Sequence, residues 1–311
     1  IVIDDLANKR HDCDILINQI HGINKSRYKN LINRNCDLLL GSKYIIMKSD
    51  FLKVRNNLIK TNSISYHNNV HVLFGLSDDS GLTIRFSKLL IENFKELKLY
   101  INVGKSFKYI EKLKSLSNQT NQINWTKNSF NVAEQMGKCN FAIGSPGMST
   151  WERACLGIPS IQIGTSKSQL QIMNKLVKFG ICKWLGHHQN LTNKEFITSF
   201  KEIFYDRKKR SEMKKQCLQA IDGQGTNRIV EYITKWVLAK ITYLSKKRNI
   251  VILGAGIPGI FSALYLSKLY PNKNIHLVES TKEIGGLYKS IVDPVGGIFD
   301  KGMHIVYETL N

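Results

Sequence analysis

The chain has 311 residues, of which 42% are hydrophobic and 9% aromatic, which is enough to form the cores of two domains. Its 45 basic and 24 acidic residues give a formal net charge of +21, a balance typical of proteins that bind nucleic acids or anionic membranes. The lysines are spread along the chain, however, so we predict no nucleic-acid partner and expect the charge to attract anionic nucleotides instead.

The cysteines and the hydropathy pattern exclude further classes of protein. The six cysteines form no CxxC pair and no cluster with histidine, so we predict no metal site and expect buried thiols in a reducing cytoplasm. No stretch approaches about 18 consecutive apolar residues and no signal peptide is recognisable, so we expect a cytoplasmic protein without a membrane span. The chain begins inside a strand-like "IVI" without Met, which is typical of a fragment of a longer protein.

Residues 1–57 contain short apolar runs separated by polar turns, among them "IVI", "CDILINQ" and "CDLLLGSKYIIM". Such runs are typical of buried strands in an α/β domain. We therefore assign residues 1–57 to the tail of an amino-terminal Rossmann-like domain.

Residues 66–240 alternate between strand-like and helix-like runs. Strands are predicted at 70–75, 97–104, 123–125, 140–144 and 160–164. Helices are predicted at 83–97, 107–116, around Val132 and Met136, from Thr150, at 168–180, as a pair within 192–219, and after a Gly-rich turn in 221–242. This alternation indicates a parallel sheet with helices on both faces, which is an α/β fold of the Rossmann-like class. The densest basic run, residues 206–216, is interpreted as a solvated helix face.

The segment after the predicted strand 140–144 is the first candidate site. It reads "GSPGMSTWERACLGIPSIQIG", in which small residues lead directly into a helix. Glycines allow the backbone to approach a ligand closely, and the start of a helix presents unpaired N–H groups that suit a phosphate. Ligands of such folds bind at the carboxyl ends of the strands, where this loop would lie. The loop therefore predicts a nucleotide site.

A new unit begins near residue 248. Gly254, Gly256 and Gly259 form a G-x-G-x-x-G motif between the strand "NIVIL" and a helix, and Glu279 ends the next strand. In this context the motif predicts a dinucleotide site, with the glutamate accepting from ribose hydroxyls. A second glycine pair, Gly285 and Gly286, follows. This order resembles the amino terminus of flavin enzymes of the amine-oxidase and UDP-galactopyranose-mutase type, and implies FAD. An ordinary NAD-binding Rossmann unit is the alternative.

Five ordered motifs in residues 1–240 resemble a second family. They are "DDLANKRHDCDILINQ", "CDLLLGSKYIIMKSDFLKVR", "FGLSDDSGLT", "GSPGMSTWERACLGIPSIQI" and "IDGQGTNRI". Together they resemble the UDP-2,4-diacetamido-2,4,6-trideoxy-β-L-altropyranose hydrolases of pseudaminic acid synthesis, which are similar in fold to MurG-type, two-Rossmann (GT-B) glycosyltransferases. The resemblance implies a UDP-sugar substrate, hydrolysis to UDP and free sugar, and no cofactor for this part. It divides the chain into 1–57, a UDP-binding domain at 66–240 and a truncated FAD/NAD-binding domain at 248–311.

The resemblance also implies site residues. The pyrophosphate segment of the family corresponds to Gly144, Ser145, Gly147, Met148, Ser149 and Thr150. Glu152 corresponds to the carboxylate that accepts both uridine ribose hydroxyls, and a glutamate in the first helical turn would also oppose the positive end of the helix. A plain helix-dipole partner is the alternative for Glu152. Asp78 and Thr83 match the loop after the first strand, with a helix cap as the alternative for Asp78.

Several positions depart from the family pattern. Leu76 and Pro146 replace small residues, and Ser168-Gln169 replaces an Asn-Gln pair. The loop with the catalytic histidine would lie upstream of residue 1, so the catalytic residues are unknown and we expect residues 1–311 to be inactive alone. His11 is interpreted as a loop residue. We likewise expect the last unit to retain no FAD by itself. Two alternatives stay open, a GT-B glycosyltransferase using a UDP-sugar donor and a non-catalytic nucleotide-sugar binding module.

Overall fold

The computed structural model describes residues 1–20, 22–61, 68–129, 131–166, 169, 173, 177, 180–245, 249–254, 257–271, 273–278, 290–292 and 298–300. These residues belong to two compact units, Ile1–Ile229 and Val230–Asn311.

A small parallel sheet opens the first unit. Its strands are β1 (Val2–Ile3), β2 (Ile15–Asn18) and β3 (Asp37–Leu40), in the order β1-β2-β3. Ile15, Leu16 and Ile17 are all buried, as expected for a strand covered on both faces. The apolar runs predicted in this region therefore form neighbouring strands.

The main sheet has six parallel strands: β4 (Asn69–Leu73), β5 (Lys98–Val103), β6 (Ile123–Lys127), β7 (Phe141–Gly144), β8 (Ser160–Gly164) and β9 (Cys182–His187). Their order is β6-β5-β4-β7-β8-β9, with every neighbouring pair parallel. The chain leaves β4 toward one edge and returns beside it as β7. The sheet therefore reverses its winding between β4 and β7, where folds of this type leave a crevice for ligands.

Helices cover both faces of this sheet. They are α1 (Ser49–Lys60), α2 (Leu82–Asn93), α3 (Ile110–Asn118), α4 (Val132–Gly137), α5 (Met148–Cys155), α6 (Asn193–Phe204) and α7 (Arg207–Ala220). Phenylalanines of α2 and α6, among them Phe86, Phe196 and Phe200, pack on one face with Val70 and Ile161. On the other face, apolar residues of α1, α4, α5 and α7 form a second core. The predicted helix 168–180 lies mostly outside the described residues.

The apolar runs did not predict α1. Arg55 on this helix is buried and donates to the carbonyl oxygens of Cys155 (2.6 Å), Ile221 (2.7 Å) and Leu218 (2.9 Å). These carbonyls lie at the carboxyl ends of α5 and α7, where a helix has no N–H donors of its own for its last carbonyl oxygens. Arg55 therefore has a structural role, which fixes α1 to the helices of the main sheet.

The helix α8 (Gly225–Ser245) contains the boundary between the units. In the second unit, β10 (Asn249–Leu253), α9 (Ile257–Leu269) and β11 (Asn274–Val278) follow each other, and the two strands pair in parallel. A short antiparallel pair, β12 (Ser290–Val292) and β13 (Ile298–Asp300), is also present. Among the described helices, none is long and apolar enough to span a bilayer.

Candidate functional site

The predicted nucleotide loop lies at the point where the sheet reverses its winding. Gly144, the last residue of β7, is paired with Leu73, the last residue of β4. The loops that follow these two strands therefore leave the same edge of the sheet side by side. This is where a Rossmann-like fold binds its ligand.

The two loop glycines have different roles. A Cβ atom at Gly144 would lie 2.0 Å from the Leu73 carbonyl oxygen and 2.5 Å from Nη1 of Arg153. Gly144 is therefore required for close packing inside the protein. At Gly147 the φ angle is 157° and a Cβ would meet nothing within 4 Å. Only Gly147 has the open surroundings expected of a residue that a ligand approaches.

The hydrogen bonds of the loop leave few amides for a ligand. The Ser145 amide donates to Leu73 O (3.3 Å), the Gly147 amide to Thr150 Oγ1 (3.2 Å), and the Thr150 amide to Gly147 O (3.0 Å). Pro146 has no N–H group. Within the described part of the chain, the amides of Met148 and Ser149 at the start of α5 have no acceptor. The free amide donors of the loop are thus concentrated at these two residues.

One prediction about Glu152 is wrong. We expected the helix to begin at Thr150 with Glu152 in its first turn, but α5 begins at Met148 and has no acidic residue in that turn. The Thr150 hydroxyl bonds back to the Gly147 amide, which places the helix start two residues earlier. Glu152 therefore follows Met148 by four positions, so the two side chains are neighbours on one helix face.

The Glu152 carboxylate is nevertheless unpaired in the described structure. The side chain is half-buried, and its carboxylate has no hydrogen-bond or ion-pair partner among the described residues. Burial raises the pKa of Glu152, while the charges of Arg153 and Lys48 oppose that rise. A helical side chain points back toward the amino terminus of its helix, which here carries the free amides of Met148 and Ser149.

Sequence reasoning missed Arg153, which supports the loop from beneath. Its side chain is fully buried. Its Nη2 donates to Ser145 O (2.9 Å) and Ser149 Oγ (2.7 Å), and its Nε donates to Ser149 O (2.8 Å). Nη1 is buried without an acceptor in the described structure, and burial lowers the pKa of Arg153 to about 10. A buried cation thus lies directly under the predicted phosphate loop.

A row of buried polar residues continues from Arg153 across the sheet. His71 Nε2 lies 2.6 Å from Asn102 Oδ1, and the Asn102 amide donates to Thr126 (2.7 Å) and Gln135 (2.5 Å). Thr150 donates to Gln162 Oε1 (3.0 Å). The sequence contains a signal for this row, because a polar residue interrupts each apolar strand run in "VHV", "INV" and "IQI". These polar residues lie on the sheet face that carries α5.

Asp78 forms a helix cap. It is buried, its φ angle is 42°, and its carboxylate accepts from the amides of Leu82 (3.0 Å) and Thr83 (2.7 Å) at the start of α2. This geometry matches the capping alternative for Asp78. The neighbouring Gly75 supplies a φ of 92°, and Leu76 is not in the positive-φ region.

The remaining predicted residues are placed as follows. Gln169 donates to Pro146 O (2.9 Å) and so ties the loop after β8 to the nucleotide loop, whereas Ser168 lies outside the described residues. His11 Nε2 lies 3.4 Å from Asp4 Oδ2 beside the small sheet. Among the described residues, no group of three or more His, Cys, Asp or Glu could hold a metal ion.

The second candidate site is the turn between β10 and α9. Gly254 has a φ of 92°, and a Cβ at Gly259 would lie 1.8 Å from Gly254 O. The first glycine thus allows the turn and the last allows the helix to pack closely on it, as a dinucleotide-binding turn requires. The turn fits a dinucleotide cofactor. Gly256, Glu279, Gly285 and Gly286 lie outside the described residues.

Comparisons with known proteins agree with this fold. The NAD(P)-binding Rossmann-like domain family matches residues 252–310. Protoporphyrinogen oxidase of Bos taurus is 38% identical over 55 residues, which are 18% of this chain and 12% of that protein. An uncharacterized protein of Methanocaldococcus jannaschii is 28% identical over 169 residues, 53% of this chain, and the match spans 35% of its length.

The structure of Acinetobacter baumannii MurG is similar to this chain with a TM-score of 0.53 and 14% identity, covering 71% of this chain and 66% of that one. The predicted fold class is confirmed. The chain has a GT-B-like α/β fold with parallel sheets, followed by a Rossmann-like domain.

Proposed function

We propose that residues 66–240 bind a UDP-sugar at the carboxyl edge of the main sheet. The observation that carries the proposal is the combination of free amides at Met148 and Ser149 with the unpaired Glu152 carboxylate on the same helix. The amides would donate to a phosphate, as the start of a helix does for anions, and Glu152 would accept from the ribose hydroxyls. Residues 1–57 would belong to the facing Rossmann-like domain of the GT-B pair.

The reaction that we propose is hydrolysis. Water attacks the anomeric carbon of a UDP-linked diacetamido-trideoxy sugar, the bond from that carbon to the diphosphate oxygen breaks, and UDP and the free sugar are released. The ordered motifs of the hydrolase family support this choice. A glycosyltransferase would use the same UDP contacts, and a binding module would use them without turnover. Release of free sugar by the full-length protein, without an added acceptor, separates these alternatives.

Replacement of Glu152 by glutamine tests the UDP site. We expect UDP affinity to fall by about 1.5–3 kcal/mol, because hydrogen bonds from the ribose to a carboxylate would become bonds to a neutral amide. Calorimetric titration with UDP measures the change. Glu134→Gln, an exposed glutamate on α4, is the matched control and should bind UDP as the natural chain does. Equal affinity of Glu152→Gln and the natural chain would remove Glu152 from the site.

The natural chain and the Glu152→Gln protein can also be compared at different pH values. Because burial raises the pKa of Glu152, its carboxylate takes up a proton at a higher pH than an ordinary glutamate. UDP affinity of the natural chain should therefore weaken as the pH is lowered, beyond the weakening caused by protonation of the phosphate. The Glu152→Gln protein should show the phosphate contribution alone.

We further propose that the second unit binds the ADP part of FAD, with Glu279 accepting from the ribose. When bound, FAD supplies the redox chemistry. The protein contributes the turn, in which Gly254 allows the bend and Gly259 allows α9 to pack closely, so that the pyrophosphate can lie at the start of α9. An NAD-binding unit is the alternative, and titrations with FAD and with NAD⁺ compare the two directly.

Replacement of Gly259 by alanine should weaken dinucleotide binding by about tenfold or more, because the new Cβ would lie on Gly254 O and force the turn open. Ser267→Ala, on the exposed part of α9, is the control. Quenching of flavin fluorescence measures the binding. An alanine variant that binds FAD normally would show that the turn is not the cofactor site.

A further inference from the structure

A groove of about 740 Å³ lies at the opposite end of the main sheet from the nucleotide loop. Its floor is apolar and includes Leu58, Leu156, Ile158, Pro159 and Leu218. One wall is the basic face of α7, and we call this cavity the α7 groove. The volume is within the range of small-molecule sites, which is roughly 300–1,000 Å³.

The wall of the α7 groove carries a cluster of positive charge. Its cations are Arg207, Lys208, Arg210, Lys214 and Lys215, and the groove lining contains no aspartate or glutamate. Of these, Lys208, Arg210, Lys214 and Lys215 form no ion pair with any residue that the structure describes. Like charges four residues apart on a helix, such as Arg210 and Lys214, repel each other, and an anion in the groove would relieve this repulsion.

The cations are not needed to satisfy the nearby helix end. The last carbonyls of α5 all have other donors: those of Glu152, Arg153 and Ala154 accept from the amides of Leu156, Ile158 and Gly157, and that of Cys155 accepts from Arg55. The usual stabilising role of lysine and arginine at the carboxyl end of a helix is therefore already filled.

Arg210 is half-buried against an aromatic ring. Its guanidinium lies over the Phe204 ring at 5.0 Å from the centroid, and its Nε is buried without an acceptor among the described residues. Burial, together with the charge of Arg207, lowers the pKa of Arg210, while the charge of Asp206 opposes that fall. Arg210 also lines the groove, so its cation lies within reach of an anion bound there.

We propose that the α7 groove binds a small organic anion. Its apolar or aromatic body would lie on the floor, and its phosphate, sulfonate or carboxylate group would meet Arg210, Lys214 and Lys215. A flat bilayer cannot reach the floor of a concave site, so a membrane surface does not explain the apolar residues. This site is separate from the UDP site and does not depend on the proposed function.

Binding of 8-anilinonaphthalene-1-sulfonate, an aromatic sulfonate, tests the proposal by fluorescence titration of the whole chain. The double variant Lys214→Gln/Lys215→Gln should bind the probe about tenfold more weakly. The charge-matched control is Lys194→Gln/Lys209→Gln, two lysines outside the groove lining, and it should bind the probe as the natural chain does. Amide NMR shifts caused by the probe should be concentrated in residues 137–140 and in α7.

Three outcomes would overturn the proposal. Equal weakening in both double variants would show a diffuse attraction to the net charge. Probe-induced shifts away from α7 would place the probe elsewhere. The third outcome concerns phosphatidylglycerol vesicles. If the Lys214→Gln/Lys215→Gln variant bound them more weakly than the control variant and the natural chain, the basic face would be assigned to a membrane. UDP affinity should be the same in all three proteins, so failure here is distinguishable from failure of the UDP site.

Discussion

Replacement of Arg153 by methionine is expected to lower the free energy of unfolding by about 2–3 kcal/mol and to weaken UDP binding by about tenfold or more. Methionine fills part of the space but donates no hydrogen bond. The buried Ser145 carbonyl then loses its donor from Nη2, and the Ser149 hydroxyl loses its own. Because these bonds hold the loop that carries the Met148 amide, both stability and ligand affinity depend on them. Urea unfolding and calorimetry with UDP measure the two effects.

Two control variants separate the loss of the Arg153 hydrogen bonds from the effect of removing an arginine anywhere in the protein. Arg207→Met removes an exposed arginine and should change neither the free energy of unfolding nor the UDP affinity appreciably. Arg153→Lys keeps the charge but not the planar donor fork, so it should restore only part of the stability. If Arg153→Met unfolds at the same urea concentration as the natural chain, the support that we assign to Arg153 is wrong.

Lowering the pH from 7 to 4.5 is expected to remove about 2–3 kcal/mol of stability through His71 alone. Burial lowers the pKa of His71 to about 4, with the charge of Arg153 acting in the same direction and the bond to Asn102 opposing it. The unfolded chain takes up this proton near pH 6.5, but the folded chain does so only near pH 4. Since the unfolded state binds more protons between these values, stability falls as the pH falls through that window.

The His71→Gln variant isolates this contribution, because a glutamine amide can still donate to Asn102 Oδ1 but does not titrate. Urea unfolding at several pH values should show a shallower loss of stability for this variant than for the natural chain. His187→Gln, at the end of β9, is the control and should keep the steep dependence. Parallel pH profiles for the His71 variant and the natural chain would contradict the assignment.

The local pattern of the sequence was sufficient to predict much of the fold. The alternation of apolar strands and amphipathic helices predicted the order of β4 to β8 and of α2 to α5, because periodicities of two and about 3.6 residues are properties of neighbouring residues. Gly254 and Gly259 predicted a tight turn between β10 and α9, because glycine allows a positive φ and close packing. The small residues after β7 also identified the loop that lies where the sheet reverses its winding.

Only the tertiary structure decided how the loop after β7 and the row of buried polar residues beside it are built. His71 and Asn102 are 31 residues apart in the chain, and the partner of Asn102 on α4 is more distant still, so no local pattern pairs them. Likewise, the acceptors of the Ser145 and Gly147 amides determine that the free donors are at Met148 and Ser149. Buried polar groups must find partners wherever the fold brings them together, and those partners depend on strand order and helix packing.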